Sequence, residues 1–108
     1  MKRSHSLTYL NSFNKINIVI VGAGRAGSFH VNSLLNSDKY NLLYIVDLDL
    51  EKAKELSYKG RCKYSNNLNN VLNNDNIDAV IIATTTPTHY NLTMICLSFN
   101  KHVFCEKP

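Results

Sequence analysis

No aspartate or glutamate occurs before Asp38. The opening segment, Met1 to Lys15, is basic and rich in Ser and Asn, which predicts a disordered leader. Acid-poor transit peptides share that composition, but no Arg-rich amphipathic pattern supports one here. Long apolar runs are also missing. Ile18 to Val21 is typical of those present, far short of the roughly 20 residues a membrane helix needs, so no membrane role is expected. The three cysteines, Cys62, Cys96 and Cys105, form no C-x-x-C pair. An odd count without a secretory signal points to reduced thiols and a cytoplasmic location. Cys96 and Cys105 lie in apolar runs and are expected to be buried. His5, His30, His89 and His102 lack metal-ligand spacing, so no metal is expected. The net charge of +4 comes from scattered residues. The nearest thing to a patch, Lys59, Arg61 and Lys63, would share one face of a short strand, which reads as a solvated face. Without a longer basic stripe or interleaved aromatics, no nucleic-acid partner is expected.

What is present is an ordinary globular mix, 44% hydrophobic and 19% charged over 108 residues, enough for one small domain. Ile16-Asn17-Ile18-Val19-Ile20-Val21 is a β-branched run of the kind that parallel strands bury on both faces. Ala26, Phe29 or His30, and Leu34 then recur at helical spacing. Leu42 to Val46 is a second strand, ending at Asp47. Asp49 is placed to cap a helix over Leu50 to Ser57, with Leu50, Ala53 and Leu56 as its buried stripe and Gly60 as its end. Arg61 to Tyr64 reads as a weak third strand. The Asn-rich stretch Asn66 to Asn76 resembles low complexity, yet Leu68, Val71 and Leu72 keep i, i+3, i+4 spacing and predict a short helix. Ala79 to Ala83 is a fourth strand. Pro87 suits the first turn of the next helix, with Thr86 as its cap. Leu92, Ile95, Cys96 and Phe99 mark that helix's core face, and Asn100 suits the left-handed position after it. His102 to Cys105 is a fifth strand. This alternation predicts an α/β fold with a doubly wound parallel sheet, the Rossmann arrangement, incomplete at its C-terminus.

Gly22-Ala23-Gly24-Arg25-Ala26-Gly27 matches G-x-G-x-x-G between a strand and a helix, the context the dinucleotide motif requires. Gly22 permits the tight turn, Gly24 lets a pyrophosphate approach the backbone, and Gly27 lets helix and strand pack closely. Phosphates would then meet free N–H groups at the helix start. Asp47, at the end of the second strand, can accept hydrogen bonds from ribose hydroxyls and would repel a 2′-phosphate. Leu48 offers that phosphate no donor, and Asp49 adds negative charge, so NAD is expected over NADP. The alternative makes Asp47 a strand-end helix cap. Arg25 either pairs with the pyrophosphate or points to solvent. Thr84 and Thr85 lie at the end of the fourth strand, beside the expected crevice.

At these residues the chain resembles the glucose–fructose oxidoreductase, inositol dehydrogenase and MocA family. The resemblance rests on Gly22 to Gly27 with His30, on Val46-Asp47, on Asp78 to Thr84 with Pro87-Thr88-His89, and on the closing Lys101-His-Val-Phe-Cys-Glu-Lys-Pro108. The run Ala83 to His89 is similar to inositol 2-dehydrogenase-like members. The resemblance implies a NAD(P)-dependent oxidoreductase of sugars, polyols or related small molecules. It implies that Lys107 is catalytic, near nicotinamide and substrate, and that Glu106, Ala26, Pro87 and His89 belong to the cofactor side with the residues above; an exposed terminal lysine is the alternative for Lys107. It leaves room for a family-like homo-oligomer. Asn100 stands where the family usually has Gly, and acidic residues common in the third helix are Asn here. The chain ends at Pro108, so residues 16–108 are expected to form a truncated dinucleotide-binding domain, catalytically incomplete alone, whose small-molecule substrate would bind only in a full-length parent. A non-catalytic nucleotide- or partner-binding remnant is the competing reading.

Overall fold

The structure, a computed structural model, describes residues 15–105, so the expectations for Met1 to Asn14, Glu106 and Lys107 lie outside the described residues. Five strands form one parallel sheet: β1 (Ile16–Val21), β2 (Tyr40–Val46), β3 (Lys63–Ser65), β4 (Ala79–Ile82) and β5 (His102–Cys105). Their spatial order is β3-β2-β1-β4-β5. Four helices link them: α1 (Arg25–Leu35), α2 (Leu50–Gly60), α3 (Leu68–Leu72) and α4 (Thr86–Ser98). This is the doubly wound Rossmann arrangement.

β-branched residues dominate β1 because both of its faces are covered. Ile18 and Ile20 pack with Val31 and Leu34 of α1 and Ala53 and Leu56 of α2. Val19 and Val21, pointing the other way, pack with Val71 and Leu72 of α3 and Cys96 of α4. Alternation along a strand thus supplies two hydrophobic layers from one run. Each fully buried Ile, Val or Leu contributes roughly 1.5–3 kcal/mol. On α1 the buried choice falls on His30, while Phe29 is exposed.

β2 carries a bulge. Ile18 pairs with Leu42 and Val19 with Tyr44, so Leu43 is an extra residue. Leu43 and Tyr44 consequently both pack in the layer beneath α3 and α4. Beyond the bulge, Val46 faces Val21 in register.

Asp49 caps α2, accepting from the N–H groups of Glu51 and Lys52. Leu50 is exposed, because it sits in the first turn before the helix reaches the sheet; Ala53, Leu56, Ser57 and Gly60 form the buried stripe instead. The left-handed residue after α2 is Arg61 (φ 54°), not Gly60. Gly60 answers to packing: a Cβ there would come within 2.8 Å of Leu42 and 3.3 Å of Cys62. Lys59, Arg61 and Lys63 therefore do not share a strand face; they occupy helix, turn and strand. The short α3 forms where Leu68, Val71 and Leu72 predicted it, with Asn67 accepting from the Asn70 N–H. Asn100 adopts the left-handed conformation, φ 61°.

Cys96 is buried, but Cys105, the last of the described residues, is exposed at the end of β5, with the Thr93 hydroxyl 3.1 Å from its Sγ. Burial pushes the Cys62 thiol from 9.0 up to about 11, against a lowering hydrogen bond from the Ile45 backbone. Burial does the same to Cys96, also to about 11, with a smaller contribution from Cys105. The fold thus favours the neutral thiols, whereas unfolded thiols ionise near 9.0. Their contribution to stability should be complete below pH 9 and decline as pH rises from about 9 to about 11. Urea midpoints across that window test this. Cys62→Ala and Cys96→Ala should each flatten the decline, and equal declines in wild type and variants would refute it.

Candidate functional site

β1 lies between β2 and β4, so the chain leaves it in opposite directions and opens a crevice at the strand ends, where ligands bind in such sheets. A cavity of about 620 Å³ occupies this position. Its floor is the glycine loop, Gly22 to Ala26; one side comes from Val46 to Leu48, Lys52, Asn66 and Leu68, the other from Thr84, Thr85, Thr88 and Leu92.

The three motif glycines do different work. Gly22 has φ +114°, and a Cβ there would meet the Ala83 carbonyl oxygen at 2.6 Å. Its N–H donates to the Val46 carbonyl at 2.7 Å, so the turn is wedged between both neighbouring strands. A Cβ on Gly27 would fall on the Gly22 carbonyl oxygen. That close approach lets α1 start directly over the loop. Gly24 lines the cavity, and a Cβ on it would touch nothing within 4 Å. The protein's own packing does not require glycine at this position.

Gly24 is also the N-cap of α1, with no side-chain hydrogen bond to the helix start and no acidic residue in the first turn. The positive end of an 11-residue helix therefore faces the cavity with no acidic residue in its own first turn. A phosphate fits there: the open face at Gly24 gives it room, and the amides supply donors.

Asp47 is fixed by backbone. One carboxylate oxygen accepts from the Ala23 N–H at 2.8 Å, the other from the Asp49 N–H at 2.8 Å. It thus ties the glycine loop to the turn before α2, while Asp49, two residues on, is the helix cap. Each Asp47 oxygen keeps lone-pair capacity for a ligand hydroxyl.

Across the cavity, α4 begins one residue earlier than expected, with Thr85 as N-cap and Pro87 in the first turn. The Thr88 hydroxyl donates to the Thr85 carbonyl at 2.8 Å. Its single proton is thereby used, so in the 2.7 Å contact between Thr84 and Thr88 the Thr84 hydroxyl is the donor. Thr84 Oγ1 is left as an acceptor, suited to a ligand hydroxyl or amide N–H rather than a phosphate oxygen. His89 Nε2 donates to the Thr84 carbonyl at 2.6 Å and so holds this segment in place.

Of the expected cofactor residues, Gly22, Gly24, Arg25, Ala26, Asp47, Thr84 and Thr85 are brought together on the cavity wall. Gly27, Pro87 and His89 are not on it. Gly27 lies beneath the loop against Gly22, Pro87 belongs to the first turn of α4, and His89 is turned toward the Thr84 carbonyl.

Residues 16–108 match the model of the Gfo/Idh/MocA oxidoreductase family, NAD-binding Rossmann fold. The chain belongs to this family. It is 35% identical over 92 residues to the myo-inositol 2-dehydrogenase of Thermotoga maritima, covering 84% of this chain and 28% of that protein. It is equally 35% identical over 92 residues to the 4-carboxy-2-hydroxymuconate-6-semialdehyde dehydrogenase of Sphingobium, covering 84% of this chain and 29% of that one. The crystal structure of a myo-inositol dehydrogenase from Corynebacterium glutamicum superposes with a TM-score of 0.80 at 28% identity, over 87% of this chain and 28% of that one. The chain thus spans less than a third of the length of these relatives.

Within this Gfo/Idh/MocA domain, sequence reasoning missed Lys52, Asn66, Leu68, Thr88 and Leu92 as wall residues. Leu68 and Leu92 read as core positions on their helices, and Asn66 as drift within an Asn-rich stretch. Lys52 had a signal: it lies three residues after the Asp49 cap, in a first turn that starts beside Asp47. Among the described residues no helix is long and apolar enough to cross a membrane, and no cluster of His, Cys, Asp or Glu could hold a metal.

Proposed function

We propose that this chain is the cofactor-binding wall of an oxidoreductase that moves a hydride between NAD and a sugar, polyol or related small molecule. The observation that carries the reading is Gly24: a glycine the fold does not need, open to the cavity, at the uncapped start of α1. The pyrophosphate lies against Gly24, Arg25 and Ala26. The adenosine ribose hydroxyls meet Asp47. Thr84 and Thr85 face the nicotinamide half, where the acceptor-only Thr84 hydroxyl takes a ribose hydroxyl or carboxamide N–H. Gly27, Pro87 and His89 support this wall from behind. Lys107 handles the substrate proton with Glu106 on the cofactor side, as in the family motif that both residues match. The relatives named myo-inositol 2-dehydrogenase support a polyol substrate. Hydride transfer needs both reacting carbons held in near-attack geometry, so turnover requires a second, substrate-holding lobe following this domain. A cytoplasmic location and assembly as a homo-oligomer belong to the same reading.

Titration with both dinucleotides tests the site. NAD should bind more tightly than NADP. Asp47→Ser should weaken NAD by roughly tenfold, as a charge-assisted ribose contact is lost, and weaken NADP less, so the gap narrows. An unchanged gap would remove Asp47 from the ribose site.

A further inference from the structure

Lys101 belongs to the closing motif, yet it lies away from the cavity and is buried, with 7% of its surface exposed. Burying an amino group is costly unless hydrogen bonds replace its water. Here the Nζ donates to the Asn74 carbonyl at 3.0 Å and to the Ile77 carbonyl at 2.9 Å, both in the turn that leaves α3. The backbone N–H of the same residue donates to the Cys96 carbonyl, near the end of α4, at 3.1 Å. One residue thus ties the far end of α3 to the far end of α4. The near ends of these two helices stand on opposite sides of the cavity: Leu68 with Asn66 just before it, and Thr88 with Leu92. α3 has only five residues, too few for a helix to hold without tertiary support. Its exposed positions Asn69 and Asn70 are poor helix formers. Its place therefore rests on Val71 and Leu72 in the core, on the Asn67 cap at the cavity end, and on Lys101 at the other.

Given the dinucleotide reading above, on which this rests, we propose that Lys101 is a positioning residue for the cofactor site and acts through α3. By fastening the turn after α3 to the end of α4, it keeps Asn66 and Leu68 at the distance from Thr88 and Leu92 that admits the adenosine half of a dinucleotide. Without the Nζ, α3 leaves the sheet for part of the time, a local opening that spares the rest of the fold. Ligand then binds only the fraction of molecules in which the wall stands, and the apparent dissociation constant rises by the inverse of that fraction.

The test is calorimetric titration of the full chain and its variants with NAD and with AMP, which carries the adenosine half alone. Lys101→Met keeps an unbranched stem, removes the donor, and should weaken both ligands roughly three- to tenfold. Asn67→Ala removes the cap from the other end of α3, remote from Lys101, and should weaken both in the same direction; it carries the test if Lys101→Met does not fold. Asn69→Ala with Asn70→Ala favours the helix without touching the cavity, and should win back most of the loss when added to Lys101→Met. Amide exchange in Lys101→Met should quicken from Leu68 to Asn74 and stay slow in β1. Exchange quickened equally in β1, or unchanged affinity in every folded variant, would reduce Lys101 to a general stabiliser and overturn the proposal while leaving the dinucleotide site standing. A folded wild type that binds neither ligand would overturn the site itself, and the role of Lys101 with it.

Discussion

Gly24→Val should reduce NAD affinity by roughly a hundredfold while the thermal midpoint stays close to wild type. The size follows from filling a tight contact surface, which costs about 1–3 kcal/mol, together with lost amide contacts to the displaced pyrophosphate. The stability half of the expectation follows from geometry. Gly24 has φ −88° and ψ −153°, extended backbone that a β-branched residue adopts readily. The added Cβ would meet nothing of the protein within 4 Å. Most of the damage therefore falls on the ligand, since exchanging Gly for Val at the N-cap costs the helix only about 1 kcal/mol. Calorimetry with NAD alongside a thermal melt separates the two effects. Undiminished affinity would reduce the loop to a structural turn, and a large drop in the midpoint would mean the loop cannot hold its shape without glycine there.

Gly27→Val, three residues away, should behave in the opposite manner and cost the fold more than about 4 kcal/mol, enough to leave a marginal domain largely unfolded. Its Cβ would land on the Gly22 carbonyl oxygen, with the Leu56 side chain at 3.5 Å behind it. Neither the helix nor the turn can yield, since the Gly22 N–H is held by Val46 and its far side abuts Ala83. Urea unfolding followed by circular dichroism measures the loss. Gly27→Ala should already show most of it, because the first carbon makes the clash. A cooperative transition within about 1 kcal/mol of wild type would show that α1 can slide off the loop, contrary to the tight packing of such interiors.

The difference between these two glycines bears on how much the sequence discloses. The motif Gly22 to Gly27 announces all three positions, and their steric environments match the reasons for which each is needed. The strands of the sheet's centre were equally plain, since Ile18–Val21 and Ala79–Ile82 have no reason to be continuously apolar unless both faces are covered. The helix through the asparagines was legible from three residues, Leu68, Val71 and Leu72, because burial constrains one side of a helix and leaves the rest free. Other features depend on contacts distant in sequence. Whether Phe29 or His30 faces the sheet depends on the rotation of α1, which spacing leaves open within one residue. Gly60 looked like a helix terminator, yet its smallness answers to Leu42 and Cys62, neither of which reveals itself in the local pattern. Cys105 read as buried from its apolar run, although at the end of β5 it is exposed among the described residues. Lys52 was overlooked for a similar reason: a lysine in the first turn of an amphipathic helix has an ordinary solvent-facing explanation, and only the three-dimensional proximity of α2 to Asp47 makes it part of a wall.

The extra residue at Leu43 sets the phase of β2. Ahead of it, Tyr40 to Leu42 keep step with the start of β1; behind it, Tyr44 to Val46 keep step one position later. Were Leu43 paired in a regular ladder, with Val19 opposite it, the same strand would carry its carboxylate one residue further along, past the Ala23 N–H that Asp47 now reaches. Leu43 therefore works as a shim: the bulge takes up one residue, adds a second apolar side chain to the layer below, and leaves the carboxylate level with the glycine loop above. Sequence drift in the first half of β2 is in this way insulated from the alignment of the second.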